Sequence, residues 1–352
     1  MNPITFRLLN QQLVCRQYSD PVKVVSHLGA MQAQEYRMMR WAVAMRTKKP
    51  SAKAFKEAFD KGRIIRLHLM RGTWQLVSAD DYWWMLDLCT PKALAVIKGW
   101  MNSNRISIPD KEQRLIRGII EQTAADRGSA TKEDFVSALA EKNIHMDDHR
   151  LSYHIRMAEL AGVICSGDLL PQKASYALTT GKIGPRPAPI DRDEALLRLT
   201  RTYFRSRQPA TLEDYVWWSG LTVSDCRRGI GLLGNTIHLE RWKGYEFYLT
   251  DDCRTRGFRK GSYLLIPPYD EFLISYKGGR GTSRNIVLPR EYAHMAYNNN
   301  GVFFPVIACD GIICGNWKPF AEDCRTTFFL DGHDESQLRL DFDNEYKRMN
   351  FF

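Results

Sequence analysis

The residues with the clearest capacity for chemistry lie in the segment Leu28-Gly29-Ala30-Met31-Gln32-Ala33-Gln34-Glu35-Tyr36-Arg37, where two glutamines flank a small apolar residue. A side-chain amide both donates and accepts hydrogen bonds, so two of them can hold a polar group between them. Residues two apart on a regular helix point about 200° from each other. Gln32 and Gln34 can therefore face one pocket only if the helix breaks or the backbone extends here. The bland alternative is a helix-turn-helix junction with both amides in water. Residue type alone favours that alternative, because glutamine is mostly an exposed residue.

Other chemistries leave no mark. The chain holds no nucleophile elbow, phosphate-binding glycine loop or dinucleotide fingerprint. His145 and His149 are four apart and can share a helix face, but nothing nearby completes a metal site. Gly278-Gly279-Arg280-Gly281 reads as a flexible basic loop rather than a nucleotide cradle. Neither a metal nor another cofactor is expected. Eight cysteines are scattered without a C-x-x-C pair. They read as reduced thiols of a cytoplasmic, nucleoid-associated protein. No apolar run is long enough for a membrane span, and Met1 to Gln12 lacks the pattern of a signal peptide.

The distribution of charge suggests a partner. The net charge is +10, and residues 1–110 hold 17 Lys/Arg against 8 Asp/Glu, a surplus of +9. The remaining residues hold 33 against 32. A basic region of this kind attracts the phosphates of nucleic acid by releasing condensed counterions. Arg37, Arg40 and Arg46, with Arg63, Arg66 and Arg71, are the candidates for phosphate or groove contacts, against the alternative that several are ion-pair partners.

The elements that must position these residues show an internal repeat. Ala130-Thr131-Lys132-Glu133-Asp134-Phe135-Val136 recurs 80 residues later as Ala210-Thr211-Leu212-Glu213-Asp214-Tyr215-Val216. Each copy opens with a Thr that can cap a helix and an Asp three residues on. Helical patterns precede the copies (112–125 and 192–206) and follow them (148–161 and 223–233). Strand-like pieces come next, at 176–179 in the first copy and at 236–242 and 245–250 in the second. Three helices and a hairpin are the layout of a winged helix. The first 108 residues fit the same terms. Helical patterns at 4–15, 21–30, 36–47 and 52–61 lead to strands at 64–70 and 73–77 joined at Arg71-Gly72, then to a long amphipathic stretch from 79 to 101. Trp83-Trp84 and Trp217-Trp218 read as core.

The expected fold is thus α+β, with tandem winged helices at 1–108, 109–184 and 190–252, the last two separated by the proline-rich stretch 184–189. Beyond 258, strands are expected at 263–266, 272–276, 286–288, 302–309, 312–317 and 326–330, with a closing helix at 336–349. They suggest a small β-sheet or barrel-like domain over 258–352.

Gln32-Ala33-Gln34 resembles the glutamine–apolar–glutamine motif of the AlkZ-like DNA glycosylases. Three further segments follow that family in the expected order. Leu69-Met70-Arg71-Gly72-Thr73-Trp74-Gln75-Leu76-Val77 is similar to its arginine–glycine–threonine strand, Leu265-Ile266-Pro267-Pro268-Tyr269-Asp270-Glu271-Phe272 to its LPPFDE segment, and Asp310 to Lys318 to its glycine-punctuated strand. Gln75 departs from the His of many members, and Trp74 replaces a smaller residue.

The resemblance implies three winged helices and a C-terminal barrel-like domain arranged as a C around duplex DNA. It also implies hydrolytic, monofunctional cleavage of an N-glycosidic bond, with Gln32 and Gln34 as the motif glutamines; a related subgroup has Asp at the second position. The implied partner is damaged double-stranded DNA, bound by a monomer. A guanine alkylated at N7 is cationic and leaves readily, so a weak acceptor that places water near C1′ can suffice. Gln34 would then orient the water and Gln32 would hold Gln34, the water or the sugar. A non-catalytic winged-helix regulator is the alternative.

Overall fold

The computed structural model describes residues 1–261, 263–318 and 326–333, with Ser336 and Leu338 besides. The helix expected over 336–349 falls almost wholly outside the described residues. The fold is mixed α and β, and among the described residues every sheet is open.

The chain divides into two compact units, one of Lys56–Ala195 and one of Met1–Phe55 together with Leu196–Phe352. The second unit is discontinuous because its N-terminal helices pack on its C-terminal sheet. Leu8, Trp41, Ile266, Phe272, Val306 and Trp317 share one buried cluster. Each aliphatic side chain so buried contributes about 1.5–3 kcal/mol. The two indoles find backbone acceptors there: Trp41 Nε1–H donates to Leu265 O (2.9 Å) and Trp317 Nε1–H to Ile266 O (2.8 Å).

The C-terminal sheet is antiparallel, in the order Thr326–Phe328, Ile312–Trp317, Val306–Cys309, Tyr263–Ile266. Its described strands do not close into a barrel. The tight turn at Asp310-Gly311 has a packing reason for its glycine. Gly311 has φ +84°, and a Cβ there would lie 2.5 Å from Ile4 Cγ2. Two expected strands, 272–276 and 286–288, do not form. Residues Glu271–Ile274 form a helical turn because the Asp270 carboxylate accepts the Phe272 N–H (2.8 Å). Ser283–Ile286 is a 3-10 turn. A short buried apolar run has no periodicity to separate helix from strand.

Both copies of the repeat carry the capping box that their sequences suggest. Thr131 Oγ1 accepts the Asp134 N–H and the Asp134 carboxylate accepts the Thr131 N–H. Thr211 and Asp214 repeat the pattern. In the first copy, Asp110–Arg127, Lys132–Ala140 and Asp148–Leu160 are helices, and Ser175–Leu178 pairs with both Ala130–Thr131 and Ile164–Ser166. The strand Ile164–Ser166 has no counterpart in the sequence reading. In the second copy, the hairpin Ile237–Trp242/Tyr245–Thr250 follows helix Val223–Leu232, and Ala210 bridges to Tyr248. Trp83, Trp84 and Trp218 are buried, whereas Trp217 is 39% exposed and donates its indole N–H to Ile274 O.

Candidate active site

Helix Pro21–Leu28 starts with proline at its first position and an Asp20 carboxylate accepting the Val22 N–H (2.9 Å). It ends at Gly29, where φ is +72°. The backbone then extends as the strand Ala30–Gln32 and continues without helical structure through Ala33 and Gln34. The break removes the helical obstacle to the two amides sharing a face, since alternate residues face the same side wherever a chain is extended; the strand itself ends at Gln32. Met31 and Ala33 are buried, Gln32 is 7% exposed, and Gln34 is exposed. Glu35 opens the turn that precedes the next helix: its carboxylate accepts the Arg37 N–H (3.1 Å) and its carbonyl accepts the Met39 N–H (3.0 Å). Arg37 and Arg40 are half-buried at the start of helix Met39–Ala44.

Two buried ion pairs support this segment within its unit. Arg46 forks onto Asp270 through Nη1 (2.8 Å) and Nη2 (2.7 Å), and both side chains are 0% exposed. Arg46 also donates to the Gln11 carbonyl and amide oxygens. Its guanidinium faces the interior, so the expected phosphate contact at Arg46 gives way to a structural role. Arg207 pairs with Glu271 at 2.6 Å. Burial pushes the Glu271 carboxyl up, but Arg207, Ser275 and the Gln32 N–H outweigh it and hold the group below the usual carboxylate range. Residue types alone did not single out Glu271 or Arg207. The available signal was an Asp-Glu pair interrupting the otherwise apolar stretch Leu264 to Ile274.

In the unit of residues 56–195, Arg63 is exposed beside the hairpin Ile64–His68/Trp74–Ser78, and Arg71 is half-buried in its turn with φ +55°. A non-glycine residue in that region costs about 1–2 kcal/mol. Arg66 is 4% exposed, with its guanidinium carbon 3.7 Å from the Trp74 ring centroid. It is a buried stacking partner, which corrects the expectation of a groove contact. Gln75, where a His is common in the family, is buried and donates its amide to Thr73 Oγ1 (2.8 Å).

The same unit holds a buried His68 Nδ1···Glu159 Oε2 contact of 2.5 Å. Burial pushes Glu159 well above its usual range and His68 well below. Both directions favour the neutral pair, in which the carboxylic acid donates to the imidazole. A raised carboxyl contributes stability at low pH and loses it as pH climbs above the ordinary value of 4.5 through the folded-state value. The lowered His68 acts in the opposite sense, below 6.5. Glu159→Gln keeps the donor and removes the titration. Its melting temperature is expected to gain on the parent between pH 5 and pH 8; a growing deficit over that range would show the charged pair instead.

The strand that ends at Gln32 is anchored on the Pro-Tyr-Asp-Glu segment through Glu271, and both segments lie within the stretch that one family model covers. The model of the family described as DNA glycosylase AlkZ-like matches residues 25–349, and the chain belongs to that family. It is a DNA glycosylase, an enzyme that hydrolyses N-glycosyl bonds. Among its relatives is the interstrand DNA cross-link repair glycosylase of Streptomyces sahachiroi, 24% identical over 343 residues that cover 93% of this chain and 89% of the relative. The solved structure of Streptomyces sahachiroi DNA glycosylase AlkZ is similar in fold, with a TM-score of 0.76 at 19% identity, covering 99% of this chain and 95% of that one. No helix among the described residues is long and apolar enough to cross a membrane.

Proposed function

We propose that the enzyme excises cationic N7-alkylated purines from duplex DNA and unhooks crosslinks made through such bases, with Gln32 and Gln34 as its catalytic residues. The observation that carries this reading is the extended backbone at Ala30–Gln32, which leaves Gln34 exposed beyond it. The Gln34 carbonyl accepts a hydrogen bond from a water placed near C1′, and Gln32 holds the water or the sugar. The C1′–N9 bond breaks with its electron pair going to the base, which leaves neutral. The water oxygen bonds to C1′ and its proton passes to solvent. The amide dipoles favour the positive charge that develops on the sugar. The name of the Streptomyces relative supports a crosslink as substrate.

Residues 109–184 and 190–252 are read as winged helices on the strength of their matching helix order, capping boxes and hairpins. Residues 1–108 are read as a third such module and 258–352 as a barrel-like domain, by family resemblance. The enzyme works as a monomer without a cofactor.

Arg37, Arg40, Arg63 and Arg71 are the proposed phosphate contacts. Arg63→Ala and Arg71→Ala are each expected to reduce the slope of log affinity against log salt by about 1. Fluorescence anisotropy on a duplex across a salt series checks this, and an unchanged slope would remove that residue from the interface. The function itself is tested by incubating the protein with duplexes carrying N7-methylguanine or an N7-linked interstrand crosslink. Alkali-labile abasic sites and separated strands on a denaturing gel are the expected products. Binding without either product would mark a winged-helix DNA-binding protein that does no chemistry.

A further inference from the structure

We propose that the buried Arg207–Glu271 pair is a clamp that sets the position of the catalytic strand by occupying the hydrogen-bonding edge a neighbouring strand would otherwise fill. The inference rests on the assignment of Gln32 and Gln34 above.

In an extended chain the carbonyl of one residue and the N–H of the residue two further on lie on the same edge. Ala30 O and Gln32 N–H are such a pair. Arg207 Nη2–H donates to Ala30 O at 2.7 Å, and the Gln32 N–H donates to Glu271 Oε1 at 2.7 Å. Arg207 Nη1–H reaches two residues before the strand, to Leu28 O at 2.7 Å. One guanidinium and one carboxylate thus supply the donors and acceptor of an absent strand.

The ion pair is itself fixed. Glu271 Oε2 accepts from Arg207 Nη2 (2.6 Å), Arg207 Nε (3.1 Å), Ser275 Oγ (2.6 Å) and Trp218 Nε1 (2.9 Å). With that oxygen engaged four times, Oε1 is held toward Gln32. The Arg207 and Glu271 side chains are 0% and 2% exposed. Stability alone gives weak reason to bury such a pair, since apolar replacements are often as stable. The clamp assigns it a use: the backbone at Gln32 fixes where its side chain leaves the strand, and a misplacement of about 1 Å can cost roughly 100-fold in rate. Arg207 and Glu271 are positioning residues and touch no substrate.

Glu271→Asp keeps the charge beside Arg207 but withdraws the carboxylate by about 1.5 Å, one C–C bond. Single-turnover excision of N7-methylguanine from duplex DNA is expected to fall about 10- to 100-fold, with duplex affinity within about twofold of the parent. In a Gln32→Ala background the same change should add less than about twofold. A folded Glu271→Asp protein that excises at the parental rate overturns the clamp, as does an equal further loss in the Gln32→Ala background. Where Glu271→Asp does not unfold cooperatively, Ser275→Ala decides. It removes one donor to Oε2 and one acceptor for Arg207 Nε, and should lower kcat about 3- to 10-fold at unchanged KM. An unchanged kcat there overturns the clamp. Full excision by both Gln32→Ala and Gln34→Ala would instead overturn the catalytic assignment beneath it, and the clamp with it.

Discussion

Gln34→Ala is expected to slow excision of N7-methylguanine by about 10²- to 10³-fold, the loss seen when one preorganised polar group is removed from a charge-developing centre. Affinity for the same duplex should stay within about twofold, because phosphate contacts rather than an uncharged amide dominate binding. Single-turnover kinetics with anisotropy on one labelled duplex separate the two. Gln34 is exposed, and most substitutions at exposed positions change stability by about 0.5 kcal/mol or less. Gln34→Asp is expected to retain much of the rate, since a carboxylate accepts the same hydrogen bond from water. Equal losses in Gln34→Ala and Gln34→Asp would mean that the amide nitrogen, not the oxygen, is the working atom.

The second large effect is on stability. Arg46→Ala leaves the Asp270 carboxylate buried without its bidentate partner, in a site where both side chains are fully buried. The expected destabilisation is about 3–5 kcal/mol. Urea denaturation measures it. Arg46→Met combined with Asp270→Asn should recover much of the loss, because no charge is then stranded and the amide can still cap the turn at Phe272. Below its melting temperature, Arg46→Ala should keep the parental salt slope for duplex binding. A slope reduced by about 1 would return Arg46 to the interface.

What could be read in the sequence divides along the range of the interactions. The capping boxes at Thr131 and Thr211 were legible because donor and acceptor lie three residues apart. The helices Ala79–Ser103, Asp110–Arg127 and Arg192–Arg207 were legible from spacing and composition. The turn at Glu271–Ile274 was not, since its apolar run fits a strand equally well and only the Asp270 cap decides it.

The glutamines were legible only through family resemblance. Their residue types favoured solvated amides, a reading that the exposed Gln34 still fits, and the short strand that buries Gln32 depends on distant partners. The Gln32 N–H finds its acceptor 239 residues away in Glu271. The same applies to Arg46, whose type and basic neighbourhood suggested DNA. Its partner Asp270 lies 224 residues on, beyond the reach of any local pattern. Arg66 misled for a different reason. In a strand of five buried residues there was no polar face for it to point from, and it lies over Trp74 instead.

The amide-pair mechanism depends on a leaving group that needs no proton from the enzyme. The measurement that tests it most directly is the single-turnover rate of the parent protein on two matched duplexes, one with N7-methylguanine and one with a neutral lesion such as 8-oxoguanine. Excision of the cationic base alone, lost in Gln34→Ala, is the predicted result. Comparable excision of the neutral base would require a general acid that two glutamines cannot supply, and would contradict the mechanism.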